Sequence, residues 1–318
     1  MIITVTLNPA LDKTAAVDVM QANALNRLGS VTTDAGGKGV NVSALVKNLG
    51  GATLATGFAG GHTGEELLSR ISDRGIDHDF VRIKAATRTN LKVMAKDGRL
   101  TELNEPGPLV LGEEWEALEK KLLSFAAVKG TLFVLSGSLP RGLQDDTYKK
   151  LCIALQSAGA KVFVDADGEA FRLAMEAPPD FIKPNRYELL QYFGVEDKGE
   201  RTGGYLLGLL RKLLGRGVKL AALSLGGAGA LFASGEYAWR ADALSVPIRS
   251  TVGAGDSMTG ALAYGIDKGL PLEECLALSL AASAGAVTTA GTKAPEAPVV
   301  NALLKQVTLR PVDSAFFS

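Results

Sequence analysis

Cysteine and histidine are scarce in this chain of 318 residues, which contains two of each. Cys152 and Cys275 both lie in apolar helical patterns, which disfavours a disulfide framework and predicts two buried thiols in a reducing compartment. His62 and His78 lie at helix or loop flanks, which disfavours catalysis by histidine. The four residues also lack the spacing of a metal-ligand cluster. These absences argue against a secreted scaffold, a zinc site and a hydrolase with a histidine base.

An excess of charge of either sign is also absent, because 34 basic residues balance 34 acidic ones. The balance gives no general electrostatic basis for binding nucleic acid or a membrane surface. A run of 18 apolar residues is missing too, so we expect no transmembrane helix. Residues 1–8 carry no basic group before their apolar run and predict a first strand rather than a signal peptide. We therefore expect a cytoplasmic protein with small-molecule ligands.

Short apolar runs alternate with helical patterns along the chain. Such alternation predicts an α/β fold of right-handed βαβ units, with a mostly parallel sheet covered on both faces and ligands at the carboxyl ends of its strands. The predicted core strands are 2–7, 52–58, 131–136, 161–165, 180–183 and 219–225. The predicted helices are 40–49, 64–74, 113–126, 145–158, 185–193, 203–215, 256–268, 272–289 and 296–306.

The most informative stretch is 250–262, in which a β-patterned approach over 244–248 leads into Gly253-Ala254-Gly255 and then Asp256. Backbone N–H groups of such a turn, with the first turn of the following helix, attract an anion. A carboxylate beside an anion is expected where it acts as base on the attacking nucleophile, and at a helix N-terminus it should stay ionised. The stretch indicates phosphoryl transfer, and a plain helix cap by Asp256 is the alternative.

A second glycine-rich turn, 35–41, opens a predicted helix. Its glycines allow close approach of a ligand to the backbone, and Lys38 adds a point charge suited to phosphate. It is not a Walker A loop, because Thr32 occupies the position of the first glycine and Gly39 that of Ser or Thr. A tight strand-to-helix turn is the alternative.

Two further polar segments follow predicted strands. Asn185 and Glu188 are three residues apart at a helix start, where they could hold hydrated Mg²⁺ or, alternatively, form a capping box. Residues 224–229 resemble a phosphate loop but lack the dinucleotide-binding spacing, and 231–233 predict a strand rather than a helix. A Rossmann oxidoreductase is therefore disfavoured, and a hairpin turn is the alternative for this loop.

Two regions interrupt the alternation of strands and helices. Asp97-Gly98 separates β-patterned residues 89–96 and 99–104, which indicates a hairpin. Residues 14–34 are also β-prone and rich in turns. We interpret both regions as a small projecting sheet that acts as a lid, because phosphoryl transfer from ATP must exclude water. An ordinary surface hairpin is the alternative.

These motifs together resemble the PfkB, or ribokinase-like, carbohydrate kinases from end to end. Residues 36–41, with Gly50 and Gly60, are similar to the family's first signature, and 250–263 to its second. Within the family, the resemblance is to the branch that phosphorylates sugar phosphates. It is carried by the segments 7–12, 87–92, 102–107 and 136–140.

The resemblance implies one three-layer domain over 1–318, with a small β-sheet lid from about 12–34 and 87–105. It implies ATP and Mg²⁺ as cofactors and leaves open whether K⁺ lies near the 250–256 loop. The implied reaction is phosphorylation of fructose 1-phosphate at its 6-hydroxyl. Tagatose 6-phosphate and fructose 6-phosphate are the alternative substrates, and a non-catalytic sugar-phosphate sensor is an alternative of another class.

The same resemblance assigns roles to individual residues. Asp256 matches the catalytic base, beside an anion hole of Gly253, Ala254 and Gly255. The nucleotide side matches Lys183, Asn185, Gly255 and the loop Ser224, Leu225, Gly226, Gly227, Ala228, Gly229. Mg²⁺ matches Asn185 and Glu188, through water. The sugar-phosphate side matches Asp12, Arg27, Gly37, Lys38, Asn41, Arg88, Asn90, Ser138 and Asp256. Relatives that use fructose 6-phosphate carry a further basic residue near Arg27, and here we expect Lys38 to supply that charge.

A small sheet is marginally stable alone and leaves its edges unpaired. We expect Leu91, Val93 and Ala95 on one face of the lid, and Asn90, Lys92 and Met94 on the opposite face. One face would cover the sugar and the other would need burial, for which a second copy about a two-fold axis suffices. The resemblance points the same way, so a homodimer through the lid is predicted.

Overall fold

The computed structural model describes residues 1–197 and 203–312. Its strands, numbered along the chain, are β1 (Ile2–Thr6), β2 (Ala10–Val17), β3 (Val31–Gly36), β4 (Thr53–Gly60), β5 (Asp77–His78), β6 (Val81–Ile83), β7 (Arg88–Ala95), β8 (Leu100–Asn104), β9 (Leu132–Ser136), β10 (Lys161–Asp165), β11 (Phe181–Ile182), β12 (Leu220–Ser224), β13 (Ala230–Ser234), β14 (Tyr237–Ala241) and β15 (Leu309–Pro311). Its α-helices are α1 (Lys38–Asn48), α2 (Gly61–Asp73), α3 (Gly112–Ala126), α4 (Thr147–Ser157), α5 (Gly168–Ala174), α6 (Arg186–Tyr192), α7 (Gly203–Leu214), α8 (Ala254–Asp267), α9 (Leu272–Val287) and α10 (Ala297–Leu304).

A large, mostly parallel sheet forms the centre of the molecule. Its order is β15-β14-β13-β12-β11-β10-β9-β1-β4, with β5 and β6 both beside β4. The pairs from β12 to β4, β5 and β6 are parallel, whereas β13, β14 and β15 extend one end in antiparallel fashion. All six predicted core strands are present. The predicted α/β class with a mostly parallel sheet is therefore confirmed.

Helices cover both faces of this sheet and bury two apolar layers. One layer packs α3, α4, α5, α6 and α7 against the sheet, around side chains such as Phe133 and Leu151. The other packs α1, α8 and α9 against the opposite face, around side chains such as Phe163 and Leu262. Side chains alternate between faces along each strand, so residues two apart share a layer. The predicted three-layer arrangement follows.

The sequence prediction missed helix α5 and the short strands β5, β6, β14 and β15, and it expected one strand that is absent. Residues 242–248 form no strand, so the β-patterned approach to Gly253 is wrong. Their alternating apolar side chains, among them Leu244 and Val246, pack against α9 and α10 instead of pairing with a strand. The short helix α5 lies in a segment for which no element was predicted.

The second sheet has four strands in the order β3-β2-β7-β8. Strands β7 and β8 are antiparallel and joined by Asp97-Gly98, with Gly98 at a φ of 85°, so the predicted hairpin is confirmed. Leu91, Val93 and Ala95 share one face as expected. That face is already closed within the chain, because Val17 packs on it and Val93 is only 3% exposed. Burial of this face therefore does not require a second copy of the chain.

Both cysteines are buried free thiols, as predicted. Burial raises the pKa of Cys152 to about 12 and that of Cys275 to about 11. Within the described ranges, no helix is long and apolar enough to cross a membrane.

Candidate active site

Polar side chains gather at the carboxyl edge of the large sheet. Ser136, Asp165 and Ser224 are the last residues of β9, β10 and β12, and Lys183 follows β11 directly. Because these strands are parallel, their ends meet at one edge. Helices α1, α6 and α8 begin near the same edge, and their unpaired N–H groups make it favourable for anions.

Asp256 lies in the first turn of α8 and is 8% exposed. Gly253, not Asp256, caps this helix, so the plain-cap alternative is wrong. Asn41, in the first turn of α1, donates a hydrogen bond of 2.8 Å from Nδ2 to Asp256 Oδ2. Two helix starts therefore fix the carboxylate that the sequence predicts as the base.

A buried carboxylate that sequence reasoning missed lies beside Asp256. Asp165 is 2% exposed and pairs with Lys38 Nζ at 3.0 Å and with Lys183 Nζ at 3.5 Å. Thr259, one turn beyond Asp256 on α8, donates to Asp165 Oδ2 at 3.3 Å. The available signal was a polar residue at the end of an apolar core strand, which also marks Ser136 and Ser224.

The charges of this cluster shift one another's pKa values. Burial and the neighbouring Asp165 raise the pKa of Asp256 to about 6, against the opposing effects of Lys38, Asn41 and Lys183. Burial alone would also raise the pKa of Asp165, but Lys183 and Lys38 together outweigh it and hold that pKa below its usual range. Asp165 in turn raises the pKa of Lys38. Asp256 is therefore still ionised at neutral pH, as expected, but its pKa lies closer to neutrality than that of an ordinary aspartate.

The turn before α8 depends on glycine. Gly253 has a φ of 82°, which side chains rarely tolerate. A Cβ at Gly255 would lie 2.9 Å from Lys183 Nζ, so the Lys183 ammonium group lies over this turn. The turn thus combines backbone N–H groups with a buried cation, as an anion hole requires.

The glycines of the 35–41 turn fit against neighbouring strands. A Cβ at Gly36 would lie within 2.5 Å of the Asp12 carboxyl carbon, and one at Gly39 within 2.4 Å of Thr6 Oγ1. Gly37 has a φ of 119°, and a Cβ there would lie 2.7 Å from Thr6 Cγ2. This packing by itself explains the glycines, so contact of Gly37 with a ligand stays a prediction.

A cavity of about 670 Å³ opens beside the start of α8. Ala254 and Gly255 line one end, and Ser224, Gly226, Gly227 and Gly229 line another part, as predicted for the nucleotide side. Residues 224–229 also form the hairpin turn between β12 and β13, with Leu225 partly buried in the core and Ala228 outside the cavity lining. The sequence missed the apolar wall, which consists of Leu244, Val246, Ile248, Met258, Leu280, Ala284 and Val287.

Asn185 and Glu188 form the capping box of α6. Asn185 Oδ1 accepts from the Glu188 N–H at 2.9 Å, and Glu188 Oε2 accepts from the Asn185 N–H at 2.8 Å. Asn185 also lines the cavity, and Glu188 acts electrostatically on Lys38. Among the described residues, no group of three His, Cys, Asp or Glu side chains could hold a metal ion. One amide and one carboxylate fit Mg²⁺ held mainly by water and phosphate oxygens.

The small sheet presents Asp12 to the glycine turn. Asp12 Oδ1 accepts from Asn90 Nδ2 at 3.0 Å, and Oδ2 accepts from Lys92 Nζ at 2.9 Å. Asp12 and Lys92 are 6% and 7% exposed. Lys92, which the sequence analysis placed only on the face opposite Leu91 and Val93, therefore fixes the orientation of Asp12.

Arg88 lies where the small sheet meets the large one. It donates at 2.9 Å to both Glu105 O and Asn8 O, and its buried Nε has no hydrogen-bond partner among the described residues. Asn8 in turn donates to Ser138 Oγ at 3.2 Å. Arg27 lies apart from this group, exposed in the connection between β2 and β3.

The chain resembles known kinases over nearly its whole length. The family of pfkB carbohydrate kinases matches residues 5–299. The 1-phosphofructokinase of Borreliella burgdorferi is 36% identical over 283 residues, covering 89% of this chain and 90% of that protein. The 1-phosphofructokinase of Bacillus subtilis is 36% identical over 308 residues, covering 96% and 98%.

Solved structures agree with these relatives. Phosphofructokinase-2 from Escherichia coli in complex with potassium superposes with a TM-score of 0.90 at 30% identity, covering 96% of this chain and 98% of that one. The same E. coli protein is known with fructose 6-phosphate and in a tetrameric inhibited form. A whole-length family match, together with the carboxylate, glycine turns and cavity at the carboxyl edge of the sheet, shows that this chain belongs to the pfkB family of carbohydrate kinases.

Proposed function

We propose that the protein transfers the γ-phosphoryl group of ATP to the 6-hydroxyl of fructose 1-phosphate and produces fructose 1,6-bisphosphate. The observation that carries this proposal is the placement of Asp256. Its neighbour in the chain, Gly255, lines the cavity. Its hydrogen-bond partner, Asn41, follows the glycine turn that adjoins Asp12. The curated relatives named 1-phosphofructokinase support the choice of sugar phosphate.

Asp256 accepts the proton of the 6-hydroxyl as that oxygen attacks the γ-phosphate. A pKa of about 6 leaves the carboxylate ionised at neutral pH and still basic enough to accept a proton. The N–H groups of the 253–256 turn and the Lys183 ammonium stabilise the charge on the transferred group. Mg²⁺, when bound near Asn185 and Glu188, neutralises phosphate charge.

The sugar phosphate lies between the small sheet and the glycine turn in this proposal. The Asp12 carboxylate, held by Asn90 and Lys92, accepts hydrogen bonds from sugar hydroxyls. Arg88, whose Nε lacks a protein partner, binds the phosphate already on the sugar, and binding energy there positions the 6-hydroxyl. Lys38 was expected from the sequence to bind that phosphate as well, but it contacts Asp165, and we therefore propose that it acts at the transfer centre.

We also propose a site for a monovalent cation. The main chain of Thr292 lies beside Gly253, where an added Cβ would be 3.5 Å from Thr292 O, and we expect K⁺ at this junction of two loops. The potassium complex of the E. coli relative supports this placement.

We propose the cytoplasm as the location of the protein. Two buried free thiols and a substrate pair of ATP and a sugar phosphate are typical of that compartment.

The small sheet acts as a lid and dimer interface in this proposal. Its strands and the 18–30 connection expose apolar side chains, which are Val19, Met20, Leu25, Leu28, Val31, Leu100 and Leu103. Monomeric proteins rarely leave so many apolar side chains exposed in one region. A two-fold contact between lids would cover them.

A substrate panel tests the proposed function. Fructose 1-phosphate, tagatose 6-phosphate and fructose 6-phosphate are each supplied with MgATP, and formation of the bisphosphate is followed. We expect the highest kcat/KM for fructose 1-phosphate. Preference for either other sugar would overturn the assigned substrate, and binding without turnover would reveal a sensor instead of an enzyme.

A further inference from the structure

Asp165 is a buried ionised group that the proposed mechanism does not use. It ends β10, is 2% exposed, and contacts side chains from three separate segments. Lys38 comes from the start of α1, Lys183 follows β11, and Thr259 comes from α8. A lone carboxylate at this depth is strongly destabilising, so its pairing with two ammonium groups is what keeps it charged.

The two lysines lie on opposite sides of the transfer centre. Lys183 lies over Gly255 at the nucleotide cavity, 2.9 Å from where a Cβ would be. Lys38 follows the glycine turn that adjoins Asp12, and its side chain is 32% exposed. Asp165 is therefore the one group among the described residues that contacts a cation from the donor side and a cation from the acceptor side.

We propose that Asp165 is a positioning residue, which holds the Lys38 and Lys183 ammonium groups on either side of the phosphoryl group in transfer. The proposal rests on the proposed kinase function. Lysine side chains have much rotational freedom, and fixing them before the reaction avoids losing that freedom in the transition state. Charge on the transferred group then meets cations already in place.

Asp165 also acts on the base. The charged and polar groups that face Asp256 are Asp165, Lys38, Lys183 and Asn41. Of these, only Asp165 raises the pKa of Asp256, whereas the other three lower it. Removal of the Asp165 charge should therefore lower the pKa of Asp256 and weaken it as a base.

Asp180 provides a matched control on the opposite edge of the sheet. It precedes β11, is 9% exposed, pairs with Lys219 Nζ at 2.5 Å, and accepts from the Val162 N–H at 2.8 Å. Replacement of either aspartate by asparagine removes one buried, lysine-paired charge at constant size. Only Asp165 lies at the transfer centre.

The test compares Asp165→Asn with Asp180→Asn in steady-state assays from pH 5 to 9. We expect Asp165→Asn to lower kcat by about 10- to 100-fold, the range typical of groups that orient metal-binding side chains. KM for ATP should change by no more than a few-fold, and the acidic limb of kcat/KM should move to lower pH. Asp180→Asn should keep the wild-type kcat and the wild-type limb.

A wild-type kcat and acidic limb in Asp165→Asn would overturn the proposal, as would equal losses in both variants. If Asp165→Asn does not fold, Asp165→Glu keeps the charge but displaces the lysines. That variant should show a lowered kcat with an unmoved acidic limb, and a full wild-type kcat would overturn the proposal instead. Asp256→Asn, run in parallel, distinguishes failure of the positioning role of Asp165 from failure of the proposed kinase function. Wild-type turnover in that variant would overturn the kinase mechanism itself.

Discussion

The ionisation of Asp256 is the residue-scale property on which the chemistry depends. Burial and Asp165 raise its pKa to about 6, and a general base works only when it is deprotonated. We expect kcat/KM to rise with pH through an acidic limb near 6 and to be level by about pH 7.5. Measurement with saturating Mg²⁺ at constant ionic strength checks this, and a limb near 4 would show that burial does not act on this carboxylate.

Asp256→Asn should separate activity from stability. The amide cannot accept the proton, so turnover should fall by about 10²–10⁴-fold while ATP still binds. Because the pKa of Asp256 is raised from 3.8 to about 6 in the fold, the protein loses stability as pH rises from about 4 to about 6, and the charged form destabilises the fold at every higher pH. The variant should therefore be more stable than wild type at pH 8, by on the order of 1–3 kcal/mol. Thermal melts and a turnover assay check both expectations. A lower Tm together with lost activity would indicate that the substitution unfolds the protein instead of removing the base.

Arg88 and Lys38 should differ in what they bind. Arg88 lies between Asn8 and Glu105 at the small sheet, so Arg88→Ala should raise KM for the sugar phosphate at least tenfold and leave KM for ATP nearly unchanged. Lys38 touches Asp165 instead, so Lys38→Ala should act mainly on kcat. A larger change in KM for ATP than for the sugar, in either variant, would mean that the two phosphate sites are assigned the wrong way round.

At the scale of elements, α6 combines a structural cap with a proposed metal site. Glu188→Gln keeps an oxygen that can accept from the Asn185 N–H, so the capping box and the Tm should persist. The lost charge should raise the Mg²⁺ concentration needed for half-maximal activity several-fold. A magnesium titration checks this. If the Mg²⁺ dependence of activity is unchanged and the Tm is lowered, Glu188 only caps the helix and does not take part in a metal site.

Most elements could be predicted because their signals are local. Apolar periodicity over a few residues indicates β9 and β10, and Asp97-Gly98 specifies the hairpin between β7 and β8. The 244–248 segment misled the prediction because alternate apolar side chains have the same period whether they face a neighbouring strand or a cavity wall. The sequence alone does not distinguish these two environments.

The two neighbouring carboxylates of the site, Asp256 and Asp165, could be predicted only in part. Asp256 follows a glycine turn that is recognisable from a few adjacent letters. The role of Asp165 depends on Lys38 and Lys183, which are 127 and 18 positions away in the chain, and on their meeting at one sheet edge. Its effect on the pKa of Asp256 likewise exists only once both side chains are buried together. Such properties arise from packing and carry no local sequence signal.

At the scale of the whole molecule, the exposed apolar side chains of the lid predict assembly. Leu25 and Leu103 are 78% and 53% exposed, and both would be covered in a two-fold dimer. Light scattering should give a dimer for the wild type and a monomer for the double variant Leu25→Ser/Leu103→Ser. Ile153→Ser, at a 51% exposed site on α4, is the control and should stay dimeric. A wild-type monomer that is fully active at micromolar concentration would contradict the prediction.

The burial of both cysteines makes the protein a convenient background for site-directed labelling. Cys152 and Cys275 are inaccessible, and their raised pKa values leave almost no thiolate at neutral pH, so maleimides should not react with the native fold. A single Leu28→Cys substitution in the lid connection would then be the only reactive position. A fluorophore attached there would follow lid movement in real time as each substrate is added, without removal of any native residue from the core.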